Sequence, residues 1–172
     1  MIRDIQKVDD DIIEIKRLIK QKLISDPDIL EALHNTEIPD LEETDQFLDN
    51  NIFGFLRVPK TQDTVRNFIC FTVDDIEADR FNSHMKVQHI QFNCICHLED
   101  MTTDYGIDRH DLLGYLVRDL FNWSNDFGLQ VKLIYNKESV VDSDYYCRTL
   151  KFERECTNSL KKATRSNPND RL

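Results

Sequence analysis

The run from Lys86 to Gly128 constrains the fold more than any other part of the chain, because two different periodicities follow each other there. In its first half, apolar and polar residues alternate, and this period of two predicts a strand with one buried face. In its second half, from Ile107 onward, apolar residues recur at helical spacing. A strand followed by an amphipathic helix predicts a helix packed on one face of a sheet. The strand's apolar face comprises Ile90, Phe92, Cys94, Cys96 and Leu98, and the helix carries Leu112, Leu113, Leu116, Val117, Leu120 and Phe121.

The rest of the chain supplies further short elements. Apolar residues spaced by three and four predict a first helix from Asp4 to about Ile24. Asp26 and Pro27 then suit the cap and the first position of a second, shorter helix. Strand patterns follow at 52–56, 67–73, 129–135 and 144–153. This order predicts an α+β fold, in which a mixed, mainly antiparallel sheet has helices packed on one face and is preceded by an N-terminal helix pair.

The chain divides by composition into three regions. We predict an N-terminal helical segment at 1–35, an α+β domain at 36–158 and a flexible polar tail at 159–172, since the tail lacks apolar anchors. Within the α+β domain, the acidic residues at 74–79 predict a turn between two strands. Gly128 predicts the end of the long helix, because glycine readily adopts the left-handed conformation of a helix C-cap.

The net charge restricts the possible partners. A formal charge of -10 disfavours nucleic-acid binding, which depends on Lys and Arg side chains that neutralise phosphates. The same charge disfavours docking on anionic membranes. No apolar run is long enough for a transmembrane helix, and the N-terminus does not resemble a signal peptide. We therefore expect no sequence-specific nucleic-acid partner and no membrane partner.

The segment Cys94-Ile95-Cys96-His97 is the first candidate for a metal site. Zinc requires about four ligands that converge on one point, whereas strand periodicity places both cysteines on the apolar face and His97 on the opposite one. At least three of the 5 cysteines lie in strand-like segments. We predict that they are reduced thiols packed in the core, and that there is no metal site.

The residues Asp108-Arg109-His110-Asp111 are the second candidate site, because a histidine beside carboxylates can transfer protons. A structural interpretation is favoured: Asp108 suits a helix N-cap, and Asp111 lies in the positive first turn. The chain also lacks phosphate-binding glycine loops and the usual nucleophile motifs. We predict no catalytic or cofactor-binding residue and no enzyme activity. The alternative is a metal-dependent hydrolase or nuclease that uses His97, Asp108, His110 or Asp111.

The segment from Val87 to Glu153 resembles the tail-terminator (tail-completion) proteins of tailed bacteriophages. The resemblance rests on the amphipathic strand, the Arg109-His110-Asp111 helix start, the apolar helix and the Tyr-x-Arg-x-Leu-x-Phe pattern of Tyr146–Phe152. It implies a non-enzymatic homo-oligomer, generally a hexameric ring, in the neck of the virion. Such a ring is assembled in the host cytoplasm, contacts the tail tube protein and the head-side connector or stopper protein, and lets DNA pass through.

A ring subunit needs surfaces that contact its neighbours. We expect these surfaces to involve the outer strands, Phe68–Val73 or Tyr145–Phe152, and parts of the N-terminal helices. A further alternative is an intracellular adaptor that binds another protein through the Ile5–Ile19 stripe. The predicted interface residues are Ile12, Ile15, Ile19, Arg148 and Lys151.

Overall fold

A computed structural model describes residues 11–38, 43–57, 65–78 and 85–157 of the chain. The beginning of the first predicted helix, residues 4–10, and the predicted tail at 159–172 lie outside these ranges. The order of elements agrees with the prediction, and the α+β fold is confirmed. The helices are α1 (Asp11–Ile24), α2 (Pro27–Leu33) and α3 (Arg109–Phe121), and the strands are β1 (Ile52–Phe53), β2 (Phe68–Ala78), β3 (Met85–His97), β4 (Lys132–Val140) and β5 (Tyr145–Thr157).

The five strands form one sheet in the order β1-β2-β3-β5-β4. β1 is parallel to β2, and every other neighbouring pair is antiparallel. The predicted mixed, mainly antiparallel sheet is therefore confirmed. The β3–β5 pair is the longest, running without a bulge from Met85 opposite Thr157 to His97 opposite Tyr145. These two strands form the centre of the sheet, on which α3 lies. The prediction that Tyr145–Phe152 is an outer strand is therefore wrong, because β4 pairs along the other side of β5.

The core lies between the sheet and the helices, and Phe92 occupies its middle. The ring of Phe92 stacks on Phe121 of α3 at 4.9 Å between centroids, and it also contacts Phe71 at 5.8 Å and Phe152 at 5.7 Å. The predicted packing of the β3 face on α3 is confirmed for Ile90, Phe92, Cys94 and Cys96, all of which are buried in one cluster with Leu113, Val117 and Phe121.

Leu98 is the exception on the predicted β3 face, because it is 51% exposed. β3 ends at His97, and the next three residues form a 3-10 turn that directs Leu98 away from the core.

The N-terminal helices pack on the same face of the sheet as α3. Ile15, Ile19 and Leu23 of α1 are buried in the cluster that contains Phe92, together with most of the apolar residues of α2. α2 begins as predicted, since Asp26 accepts hydrogen bonds from the backbone N–H groups of Asp28 and Ile29, and Pro27 follows it. In the described residues, the helical segment and the sheet therefore share one continuous core.

Several element boundaries differ from the predictions. β1 ends at Phe53 rather than at residue 56, and β5 continues to Thr157 rather than ending at residue 153. β2 continues to Ala78 through the acidic residues expected to form a turn, because its backbone pairs with β3 as far as Lys86. β4 begins later and ends later than the predicted strand at 129–135. α3 ends at Phe121 rather than near Gly128, because Trp123 takes a positive φ of 64° and donates its N–H to the carbonyl of Val131.

Candidate assembly surface

The three isoleucines of α1 predicted to form an interface lie at or near the protomer's own core. Ile15 and Ile19 are 6% and 0% exposed, and Ile12 is partly buried against the same cluster. The apolar stripe of α1 therefore covers the sheet of its own chain. The exposed side of α1 carries Ile13, which is 39% exposed, and a partner that contacts α1 would meet this side.

Arg148, the fourth predicted interface residue, lies between β5 and α3. Its Nε donates to Oδ1 of Asp111 at 2.7 Å, and its Nη2 contacts the same oxygen. Glu138 of β4 lies 3.9 Å from Nη2. The side chain of Arg148 is 21% exposed, so its charge is largely engaged within the protomer. Its main contact joins the last strand to the first turn of α3.

Lys151, the fifth predicted interface residue, occupies the opposite face of β5. It is partly buried, and its register partners are Gln91 on β3 and Tyr135 on β4. It therefore lies on the face of the sheet that the helices leave uncovered.

The structure brings two of the four residues of the hydrolase hypothesis together, His110 and Asp111, and places His97 apart from them. His110 is buried, with Nε2 at 3.5 Å from carboxylate oxygens of both Asp111 and Glu138, but this nitrogen forms no hydrogen bond within the described residues. His97 lies on the other face, with its ring edge-on to Tyr145. Asp108 is the N-cap of α3, as predicted, although its side chain makes no capping hydrogen bond. Within the described ranges, no group of three or more His, Cys, Asp or Glu side chains could hold a metal ion.

The cysteines are buried free thiols, as predicted for core residues. Burial raises the pKa of the Cys94 and Cys96 thiols well above the ordinary value. Burial also raises the pKa of Cys70 to about 11. Because the thiolate is the nucleophilic form, these residues are poorly suited to nucleophilic chemistry and serve as packing groups.

A polar cluster around Asp100 was not predicted. Its carboxylate accepts from Asn67 at 2.6 Å and contacts Nδ1 of His34 at 2.9 Å and Nη2 of Arg109 at 3.1 Å. Arg109 is 7% exposed, and it also donates to the backbone carbonyls of Asp100 and Ala32. The cluster fastens the end of α2 and the start of β2 to the start of α3. Its charged groups hold elements of the fold together.

β4 differs from the other long strands because its side chains remain exposed. In the described part of the chain it pairs with β5 alone and forms one edge of the sheet. Leu133 is partly buried, whereas all its other side chains are exposed. Ile134, Tyr135 and Val140 are 48%, 46% and 64% exposed. A long edge strand with exposed apolar residues is a natural template for pairing with another chain.

Two aromatic residues are also exposed, Tyr115 of α3 and Trp123 just beyond the end of that helix. Tyr115 is 53% exposed, with the guanidinium of Arg118 at 5.4 Å from its ring centre. Trp123 is 57% exposed, with Nζ of Lys132 of β4 at 6.0 Å from its ring centre. Exposed apolar side chains along and near an open sheet edge mark candidate interaction surfaces. We call this set the β4 flank; it consists of Tyr115, Trp123, Ile134, Tyr135 and Val140.

The opposite edge of the sheet is also partly open. β1 pairs with Ile69 and Cys70, so the rest of β2, Phe71–Ala78, has no strand on that side within the described residues. This stretch presents exposed Asp74 and Ile76, the latter 50% exposed. Asp75 faces inward to Lys86 at 2.9 Å. The two edges of the sheet thus differ in sequence and in charge.

Comparison with known families identifies the chain. The YomW family model matches residues 26–154, which is most of the chain and includes the exposed stretches of both sheet edges. The protein therefore belongs to the YomW family, a phage-like family of the Bacillus SPbeta type. No curated protein matches the chain. Among the described helices, none has the length and apolar content needed to cross a membrane.

Proposed function

We propose that this YomW family member is a structural subunit of the phage neck, a tail terminator that forms a ring on the tail tube and joins it to the head-side connector. The observation that carries the proposal is the β4 flank. After the protomer has buried its core, every β4 side chain except Leu133 remains exposed, as do Tyr115 of α3 and Trp123 just beyond the end of that helix. Exposed surface of this kind is stabilised when a neighbouring subunit covers it.

The charged residues of the described ranges support a structural role. Arg109 and Arg148 are engaged in contacts that join α3 to other elements of the protomer. The buried thiols likewise contribute to packing. This use of polar and nucleophilic residues favours an assembly subunit over an enzyme.

Net charge supports the same proposal. A ring through which DNA passes must not hold the DNA, and a protein charge of -10 repels phosphates rather than binding them. The ring therefore needs contacts with proteins, namely its own copies, the tail tube protein and the connector.

The test is a phage in which the gene for this chain is deleted. Particles made without it should show full heads without properly joined tails, or tails of uncontrolled length, by electron microscopy. Supplying the wild-type chain should restore infectious particles. Supplying a chain with Tyr135→Ala and Val140→Ala should not, because the β4 flank loses two of its five exposed apolar side chains.

The matched control is Leu98→Ala, which removes an equally exposed apolar side chain outside the β4 flank and should complement as well as wild type. Fully infectious particles in the complete absence of the chain would contradict the proposed function. So would absence of the chain from purified wild-type particles.

A further inference from the structure

We propose that β4 of one copy pairs with Phe71–Ala78 of β2 on the next copy, so that one continuous sheet runs from subunit to subunit. This inference rests on the proposed function, since it requires copies of this chain to be neighbours. It specifies which surfaces meet and in what register. The partner at each sheet edge is a second copy of the chain.

The strand directions permit this junction in a closed ring. β2, β3, β5 and β4 are antiparallel in succession, so β4 runs opposite to β2. When a copy is rotated about an axis roughly along the strands, its β2 lies antiparallel to the β4 of its neighbour. All helices then remain on the same side of the extended sheet. The contact joins two different surfaces, as a ring requires.

The lengths of the two exposed stretches also match. β4 has 9 residues, and the open part of β2 runs from Phe71 to Ala78. An antiparallel register that uses all of this open part places Val140 opposite Phe71. Lys137 then lies opposite Asp74.

In this register, side chains that lie opposite each other on the two strands point to the same face of the extended sheet. Phe71 lies on the helix side of β2, and Val140 lies on the helix side of β4, because it shares the parity of Glu138, which reaches Arg148 and His110. Successive side chains of a strand point to opposite faces. Lys137 is three residues from Val140, and Asp74 is three residues from Phe71, so both lie on the face opposite the helices. The two charged side chains therefore meet on the uncovered face of the sheet.

Charge complementarity favours this pairing over a contact between identical edges. The open part of β2 contains Asp74, Asp75 and Glu77, whereas β4 contains Lys132, Lys137 and a single acid, Glu138. Two β2 edges would bring acids together. In the heterologous register, exposed Ile76 also approaches exposed Tyr135, so that apolar area is buried beside the ion pair.

The test is a charge exchange in the full-length chain. Asp74→Lys and Lys137→Asp should each raise the protein concentration at half-assembly by about fivefold, because each variant opposes two like charges across the junction. The double variant restores opposite charges and carries the wild-type net charge, so assembly should return to within about twofold of wild type. Assembly is measured by sedimentation velocity over a concentration series.

The matched control is Asp119→Lys, which makes the same charge change on an exposed part of α3 and should leave assembly unchanged. Circular dichroism and thermal melting establish that each variant is folded. A double variant that assembles no better than the single variants overturns this junction, as do single variants that assemble normally. If those results accompany a wild-type chain that forms rings, the proposed function stands. A wild-type chain that remains monomeric both in solution and in particles overturns the junction and the ring together.

Discussion

β3 and β4 belong to the same sheet, yet they are held in place differently. Along β3, buried and partly buried side chains alternate up to Cys94, and both faces contribute to the core near its end. Along β4, only Leu133 is even partly buried. β3 is therefore specified by the packing of its side chains, whereas β4 is held mainly by backbone hydrogen bonds to β5. The comparison indicates that the apolar residues of β4 contribute little to the stability of the isolated protomer.

The largest expected contrast is between two aromatic truncations. Phe92→Ala should lower the free energy of unfolding by about 3–5 kcal/mol, because it empties a fully buried position surrounded by three phenylalanine rings. Tyr135→Ala on β4 should change it by less than about 0.5 kcal/mol, while weakening assembly. Urea denaturation of both variants measures the contrast. Equal losses of stability would show that β4 is part of the stabilising core.

A second contrast concerns two ion pairs of α3, one deep and one near β4. Asp100→Ala should cost about 3 kcal/mol, because it leaves the buried guanidinium of Arg109 without its carboxylate. Asp111→Ala should cost about 1 kcal/mol or less, since its carboxylate is 37% exposed and solvent screens the pair. Thermal unfolding of the two variants tests this order. A larger loss of stability for Asp111→Ala would show that the ion pair of Asp111, and not that of Asp100, contributes more to the fold.

A third effect is expected at alkaline pH, where the buried thiols of the sheet lose their protons. Burial raises the pKa of Cys70 from its ordinary value of 9.0 to about 11, so the folded state holds this proton more tightly than the unfolded state. The resulting stabilisation is complete below pH 9 and is lost as the pH rises through 11. The urea midpoint should fall between pH 9 and 11, and Cys70→Ala should flatten that fall. An identical fall in the variant would exclude a contribution from this thiol.

The elements that were predicted correctly are mainly those whose side chains are buried at regular intervals along the sequence. The period-two pattern of β3 and the helical pattern of α3 identified the central layer, and the Asp26-Pro27 pair identified the start of α2. The boundaries of β2 and β4 were missed for one shared physical reason. Residues 74–78 and 136–140 are mostly polar and lie along the edges of the sheet. Their strand conformation depends on backbone pairing with a neighbour, which leaves no periodic signal in the sequence.

The surroundings of Arg109 and of the predicted interface residues could not be predicted, because they depend on contacts between residues that are far apart in the sequence. Arg109 is next to Asp108 in the sequence, yet its partners in the structure are Asp100 and the carbonyl of Ala32, which is 77 residues away. Arg148 was expected at an outer surface, whereas its partner Asp111 is 37 residues away. The stripe on α1 was correctly read as apolar, but periodicity alone does not distinguish a protomer's own sheet from a neighbouring subunit.

Gly114 sets the distance between α3 and β5, and this has a consequence for how the two elements can change in evolution. A β-carbon at this position would lie 2.6 Å from Cγ of Arg148 and 3.6 Å from Leu150. Glycine inside a helix costs about 0.5–1 kcal/mol relative to alanine, so its presence here reflects the closeness of the strand. Among natural variants of the chain, positions 114 and 148 should therefore covary, with any larger residue at 114 accompanied by a shorter side chain at 148.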